Sequence, residues 1–207
     1  MPTTLIDFCA ADGPVGPEGV YDELRFTGDD LLQAQAAGAR FLDCGLEGAD
    51  LTEARLDDTR WTECRLHRVH GVGTQLVDAA LLDCEVTEPR LGALAAYGST
   101  WRRVTLRGGK VDFLNLRGAT LREVRFVDCV LVEPDFAGAT LTDVTFDGCT
   151  LTGAQWSNAT LAKVDLCGAR LVAPLGLTSL RGATISRLQL LELADAFADQ
   201  LGIRVAD

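Results

Sequence analysis

Long hydrophobic runs, aromatic side chains and positive charge are all scarce in this chain. No stretch approaches the ~18 apolar residues that a membrane span needs, and residues 1–11 contain no basic residue, unlike a secretory signal. Only 6% of the residues are aromatic although 47% are hydrophobic, so a core must consist mainly of Leu, Val and Ala. A net charge of −11 argues against binding to nucleic acid through phosphate neutralisation. These features predict a cytoplasmic protein that binds neither a membrane nor nucleic acid directly.

Paired metal-ligand motifs are also scarce. The seven cysteines are an odd number, which suits a reducing compartment better than a disulfide framework. No Cys-x-x-Cys pair occurs, a Cys-x-x-His spacing occurs once, at Cys64 and His67, and only two histidines are present, His67 and His70. Both histidines flank apolar repeat positions and are expected to point outward. We therefore predict no metal, no cofactor and no catalytic residue, so the chain is not expected to be an enzyme.

What the sequence does contain is a repeat with a period of five. From Phe26 to Leu171, every fifth residue is Leu, Val, Phe or Trp at 27 of 30 positions, and the exceptions are Ala36, Gly71 and Ala96. We call these the centre positions. A period of five fits neither an amphipathic helix nor a continuous strand, but it fits short extended segments joined by regular turns. Glycine often lies two residues after a centre, which supports a turn there.

Two further patterns define the shape of the coil. Small residues, mostly Ala, Cys and Val, lie two residues before the centres, on the same side of an extended segment. Similar residues also recur at every fourth pentapeptide, as in Cys44, Cys64 and Cys84. Four pentapeptides per coil would stack such residues, so we predict an all-β solenoid with four sides and about 7.5 coils. The cysteines at these small positions are expected to pack in the core and to be unreactive.

The segments Ala49–Glu53, Ala119–Glu123 and Ala139–Asp143 resemble the consensus of the pentapeptide repeat family, Ala-(Asp/Asn)-Leu-x-x. That resemblance implies a right-handed quadrilateral β-helix. Three regions are then expected: an N-terminal extension or cap over residues 1–20, the repeat β-helix over 21–172, and a C-terminal capping and dimerisation segment over 173–207. Pro89 and Pro134 at small inward positions, with Gly71 and Ala96 at centres, should loosen the coils locally.

One outward column of the repeat is mainly acidic. It follows the centres of one side by two residues and contains five acids, which we call the acidic column: Asp43, Glu63, Asp83, Glu123 and Asp143. Arg103 and Lys163 occupy the same column. Stacked like charges ~5 Å apart destabilise a sheet, so the column is interpreted either as a tolerated solubilising surface or as a stripe presented to a basic groove.

The formal charge also alternates along the chain. It is −8 over residues 26–88, +6 over 89–125 and −4 over 126–170. The middle segment contains a basic belt, which can pair with acids on adjacent coils or form a contact patch. The belt consists of Arg102, Arg103, Arg107, Lys110, Arg117, Arg122 and Arg125.

The C-terminal sequence predicts a helix after the last coil. Ser186 and Gln189 form a capping box, the helix is expected from about Arg187 to Leu201, and Gly202 is expected to end it. Its broad apolar arc predicts a two-fold homodimer. The expected interface residues are Leu190, Leu191, Leu193, Ala194, Phe197 and Leu201.

A coil followed by a helix and a Gly-Ile-x-Val tail resembles the Qnr and MfpA group of quinolone-resistance pentapeptide repeat proteins. That resemblance implies a DNA mimic that binds a type II topoisomerase, DNA gyrase, and protects it from inhibitors or toxins. The acidic column would then replace the phosphates of DNA, and the helix region would form the dimer. The alternative is a structural scaffold that binds some other protein, since fold does not fix function.

Overall fold

The protein, in a computed structural model that describes residues 9–10 and 13–206, is a parallel β-solenoid of about eight turns. Each turn has four faces, named here in chain order. Face 1 contains β2 (Val20–Asp22), β4 (Arg40–Leu42), β6 (Arg60–Thr62), β9 (Ala80–Leu82), β12 (Thr100–Arg102) and the first halves of β15 (Thr120–Val127), β17 (Thr140–Asp147) and β19 (Thr160–Asp165). The second halves of these three strands lie on face 2.

The remaining strands form two more faces. Face 2 also contains β1 (Cys9–Ala10), β3 (Leu24–Thr27), β5 (Gly45–Glu47), β7 (Arg65–His67), β10 (Glu85–Thr87), β13 (Thr105–Arg107) and β21 (Ala183–Thr184). Face 3 contains β8 (His70–Val72), β11 (Arg90–Gly92), β14 (Lys110–Asp112), β16 (Val130–Val132), β18 (Thr150–Thr152) and β20 (Arg170–Val172). Face 4 consists of single parallel bridges, from Gln35↔Arg55 to Gln155↔Leu175.

The pairing register confirms the four-sided coil. Strands on each face pair in parallel with partners exactly four pentapeptides away in the chain, such as Phe41 with Trp61 and Leu131 with Leu151. The register changes only at the two ends of the described solenoid. Cys9 pairs with Leu24, which is one pentapeptide short of a full coil, and Val164 pairs with Ala183, which is one position short. One coil of four pentapeptides is therefore the structural unit.

The core consists of the two inward columns of each face, as the sequence predicts. Most centre residues and small residues are buried, and the five cysteines at small positions are at most 3% exposed. Aromatic centres stack on the next coil, with ring centroids 3.9 Å apart for Phe41 and Trp61 and 4.7 Å for Phe126 and Phe146. Offset aromatic stacking adds to the free energy of burial, so the few aromatic residues stabilise contacts between coils.

Nearly every corner of the coil has a left-handed backbone. The residue two positions after a centre has a φ between +44° and +75° in most repeats, including Asp43, Ala93 and Phe113, whose side chains would ordinarily avoid it. The N–H of this residue donates to a carbonyl of the next coil, as from Ala93 to Asp112 (2.9 Å). These hydrogen bonds hold each corner in register at the expense of backbone strain.

The C-terminal segment caps the last coil. The expected Ser186–Gln189 capping box is present, and the buried Gln189 amide donates to the carbonyls of Leu166 and Ala169 at 2.6 Å each. The single predicted helix is instead two short helices, α1 (Arg187–Glu192) and α2 (Ala194–Gln200). They meet at Leu193, whose side chain is buried in the core cluster. Within the described residues, neither helix has the length and hydropathy required to cross a bilayer.

The corner strain predicts opposite effects for two alanines that lie close together in the chain. Ala93→Gly should raise the free energy of unfolding by about 0.5 kcal/mol, because relief of the left-handed strain exceeds the entropy gained by the unfolded chain. Ala95→Gly, at an extended face 4 position, should lower it by about 0.5–1 kcal/mol. Chemical denaturation of both variants measures the difference, and equal effects would show that the corner is unstrained.

Candidate functional site

The acidic column lies along the corner between faces 1 and 2. All five of its acids, together with Arg103 and Lys163, have left-handed φ values between +44° and +57°. The N–H groups of Asp43, Glu63 and Asp83 donate to carbonyls of the following coil at 2.9–3.0 Å. The repeat therefore places one side chain per coil at the same outward corner, about 4.8 Å apart along the axis.

Glu23 extends this column by one coil towards the N-terminus. Its φ is +52°, its N–H donates to Leu42 O at 3.0 Å, and its side chain is exposed. Glu23 could be recognised in the sequence because it lies one full coil before Asp43. The sequence prediction did not include it. Glu23, Asp43, Glu63 and Asp83 form four consecutive acids, and we call this set the acidic corner.

The five predicted acids are not electrostatically equivalent. Asp83 receives two hydrogen bonds from Arg103, and the Nη2–Oδ2 distance is 2.6 Å. Arg103 also holds the pKa of Asp83 below its usual value, mainly through this hydrogen bond. Asp43 Oδ1 lies 3.6 Å from Arg65 Nη1. Across residues 13–206, by contrast, no basic side chain lies within 4 Å of the Glu23 or Glu63 carboxylates.

Beyond Asp83, basic residues interrupt the column. Arg103 separates Asp83 from Glu123, and Lys163 Nζ lies 3.5 Å from Asp143 Oδ1. Glu123 lies 3.4 Å from the neighbouring Arg122 Nε. The negative potential of this corner is therefore strongest in the N-terminal half of the solenoid, over Glu23 to Asp83.

The basic belt partly pairs with acids of its own and neighbouring coils. Arg103 pairs with Asp83, Arg117 with Asp135, and Lys110 with Asp112. No carboxylate lies within 4 Å of Arg102, Arg107 or Arg125 in the described part of the chain. The pairing interpretation thus applies to part of the belt, and the contact patch stays a prediction for Arg102, Arg107 and Arg125.

The C-terminal segment exposes a second surface of interest, which is apolar. Of the predicted interface residues, Leu190, Leu191 and Leu201 are 51%, 69% and 69% exposed. Ala194 is also exposed, Phe197 is half-buried against the core, and Leu193 is buried. The sequence prediction did not include Leu188, Ile203 and Val205, which are exposed as well.

The residue types that carry catalysis or bind metals are dispersed in this structure. Residues 13–206 contain no group of three His, Cys, Asp or Glu side chains that could hold a metal ion. His67 hydrogen-bonds Thr87 Oγ1 at 2.8 Å, and His70 lies 3.8 Å from Asp50. Hydrogen bonds that the Cys64 thiol donates to Cys44 and Cys84, together with burial, raise its pKa. Cys64 is therefore protonated and serves as a core residue.

Comparisons with known proteins agree with this architecture. Residues 99–173 match the family model described as a pentapeptide repeat region. Two trypsin-treated variants of QnrB1, a plasmid-mediated fluoroquinolone resistance protein, are similar to the chain at 17% and 18% identity. Their TM-scores are 0.49 and 0.50, and both alignments cover 94% of this chain and 100% of the other.

A more distant structural match is HetL, a pentapeptide repeat protein involved in heterocyst differentiation regulation from the cyanobacterium Nostoc sp. strain PCC 7120. It is 18% identical, with a TM-score of 0.35 over 82% of this chain and 90% of HetL. A search of curated proteins gives no significant match. The resemblance to pentapeptide repeat proteins is confirmed, and at these identities the structural matches show the fold alone.

The Asp83–Arg103 pair predicts a measurable pH effect. Because the pKa of Asp83 is lowered in the folded state, the pair stabilises the fold above the usual Asp pKa of about 3.9, and this contribution is lost as the pH falls through the lowered value. Arg103→Ala should return the carboxyl pKa towards its usual value in an NMR titration. Arg107→Ala, which removes an exposed arginine from face 2, is the control. An unchanged Asp83 pKa in Arg103→Ala would refute the assignment.

Proposed function

We propose that this pentapeptide repeat protein is a DNA mimic that binds a type II topoisomerase, DNA gyrase, and protects it from inhibitors or toxins. The observation that supports the proposal is the acidic corner, a straight row of four acids at one per coil. A carboxylate every ~4.8 Å approaches the charge spacing along one strand of DNA, which is about one phosphate per 3.4 Å. The protein would act by binding and not by catalysis.

We infer from the ion pairs of these acids which of them would contact the enzyme. Glu23 and Glu63 have no competing cation among the described residues, so their charges are fully available to a basic groove. Asp43 and Asp83 would each give up an exposed ion pair, with Arg65 and Arg103 respectively, and form an ion pair with the enzyme. Such pairs contribute little individually, so the interaction depends on the whole row. We place the contact in the N-terminal half and assign Glu123 and Asp143 a lesser role.

A gyrase supercoiling assay with a quinolone tests this function. The variant Glu23→Gln, Asp43→Asn, Glu63→Gln, Asp83→Asn removes the acidic corner. With about 0.5 kcal/mol lost per contact, protection should require a roughly 30-fold higher protein concentration. Wild-type protection should also weaken as salt increases, because exposed charges are screened.

The matched control removes the same charge from other corners: Asp58→Asn, Asp78→Asn, Asp128→Asn, Glu133→Gln. These four acids are exposed and have left-handed φ values of +49° to +55°, so their backbone setting is equivalent. Protection by this control should stay within about twofold of wild type. If the wild type neither protects nor inhibits gyrase, the proposal fails, and the scaffold alternative with a different protein partner replaces it.

We further propose that the exposed apolar residues of the C-terminal segment join two copies into a homodimer. The wild type should then have twice the 22.2 kDa mass of one chain in light scattering at micromolar concentration. Leu191→Glu should give monomers, because it places a charge in the interface at a site that is exposed in the single chain.

Val20→Glu is the control for this experiment. Val20 is also strongly exposed (63%), but it lies in β2, near the opposite end of the solenoid. This variant should remain dimeric. A monomeric wild type would refute the dimer without affecting the gyrase proposal.

A further inference from the structure

Face 3 has a groove where the pentapeptide pattern fails. Gly71 replaces a large centre residue, and a Cβ atom there would lie 2.7 Å from main-chain atoms of Leu51 and Thr52. Gly92 leaves the outward position between Val72 and Asp112 without a side chain. The resulting depression has a volume of about 780 Å³, which is within the usual range for small-molecule sites.

Basic side chains line this groove in a second straight column. His70, Arg90 and Lys110 are register partners on β8, β11 and β14, so they project from three successive coils. An adjoining depression brings Arg68 and Gly109 beside His70 and Arg90. Arg90 and Lys110 therefore place positive charge in this groove on a protein that is strongly acidic overall.

The acids around the groove leave its central arginine unpaired. Asp112 lies 2.9 Å from Lys110, Asp50 lies 3.8 Å from His70, and Glu47 lies 2.8 Å from Arg68. Glu88 also borders the second depression. Within the described residues, no carboxylate lies within 4 Å of the Arg90 guanidinium. Among these residues, Arg90 is thus a cation without a carboxylate partner at the middle of the groove.

We propose that this groove binds a phosphate ester of nucleotide size. The planar guanidinium of Arg90 can hold a phosphate through two parallel hydrogen bonds, and Lys110, one coil away, can contact it by giving up its pair with Asp112. Gly92 and Gly109 allow the anion to approach the main chain closely. Val72 and Leu91 provide an apolar wall for a flat ring. The groove is on face 3, away from the acidic corner, so this proposal does not depend on topoisomerase binding.

Calorimetric titration at low salt with ADP, inorganic pyrophosphate and adenosine tests the proposal. ADP and pyrophosphate should bind with saturation, and adenosine should not. Arg90→Gln should weaken both phosphate ligands about tenfold. Arg170→Gln is the matched control, because Arg170 occupies the same outward column of face 3 beyond the groove, and it should bind as the wild type does.

A second variant tests the cavity without changing charge. Gly92→Leu fills the groove, and a Cβ at Gly92 would meet only Val72 side-chain atoms at 3.4–3.9 Å. It should weaken ADP more than pyrophosphate while the circular dichroism spectrum is unchanged. Lack of saturable binding to ADP and pyrophosphate at millimolar concentration would overturn the proposal, as would an equal loss in Arg170→Gln. Binding of duplex DNA through Arg90 without ADP binding would also overturn it, because the groove would then recognise a polymer.

Discussion

The hydrogen bonds between coils determine every other feature of this structure. Each face pairs with the same face of the next coil, so the side chain at a given position is fixed relative to its counterparts above and below. A core residue packs on the residue at the same position of the next coil, and a corner charge must stand beside another corner residue. Surface chemistry on this fold is therefore arranged in straight columns, and function depends on what a column contains.

This constraint explains the electrostatics of the corner between faces 1 and 2. Four acids in a row repel one another, since parallel coils place them about 4.8 Å apart. Basic residues at nearby positions relieve part of this repulsion: Arg103 donates hydrogen bonds to Asp83, and Arg65 forms an ion pair with Asp43. Glu23 and Glu63 receive no such relief within the described chain. At these two acids the repulsion between stacked carboxylates remains a cost to stability.

The sequence predicted the regular part of the molecule well for a physical reason. The pentapeptide period determines which side chains point inward, and the longer period of one coil determines which of them stack, so the faces and the core followed from spacing alone. Glu23 could have been found in the same way from its spacing to Asp43. The period also located Gly71, although the groove around it depends on the backbone geometry of adjacent coils.

Features that depend on flexible side chains or on chain ends were harder to predict from the sequence. Whether Arg103 pairs with Asp83 or faces solvent depends on side-chain conformation, which the repeat does not specify. The break at Leu193 depends on how the C-terminal segment meets the last coil, where the pairing register has already shifted by one position. The local sequence period favoured one continuous helix. In the structure there are two helices, and Leu193, where they meet, is buried in the core.

The fixed register also restricts how such a protein can change in length during evolution. Inserting a single amino acid in the solenoid would turn every later side chain away from its column, whereas duplicating four successive pentapeptides would add one complete coil and preserve all four faces. Each duplication would lengthen the rod by about 4.8 Å and add one side chain to every column. The length of a charged surface on this fold can therefore evolve only in whole coils, and a partner that recognises it must match a discrete number of charges.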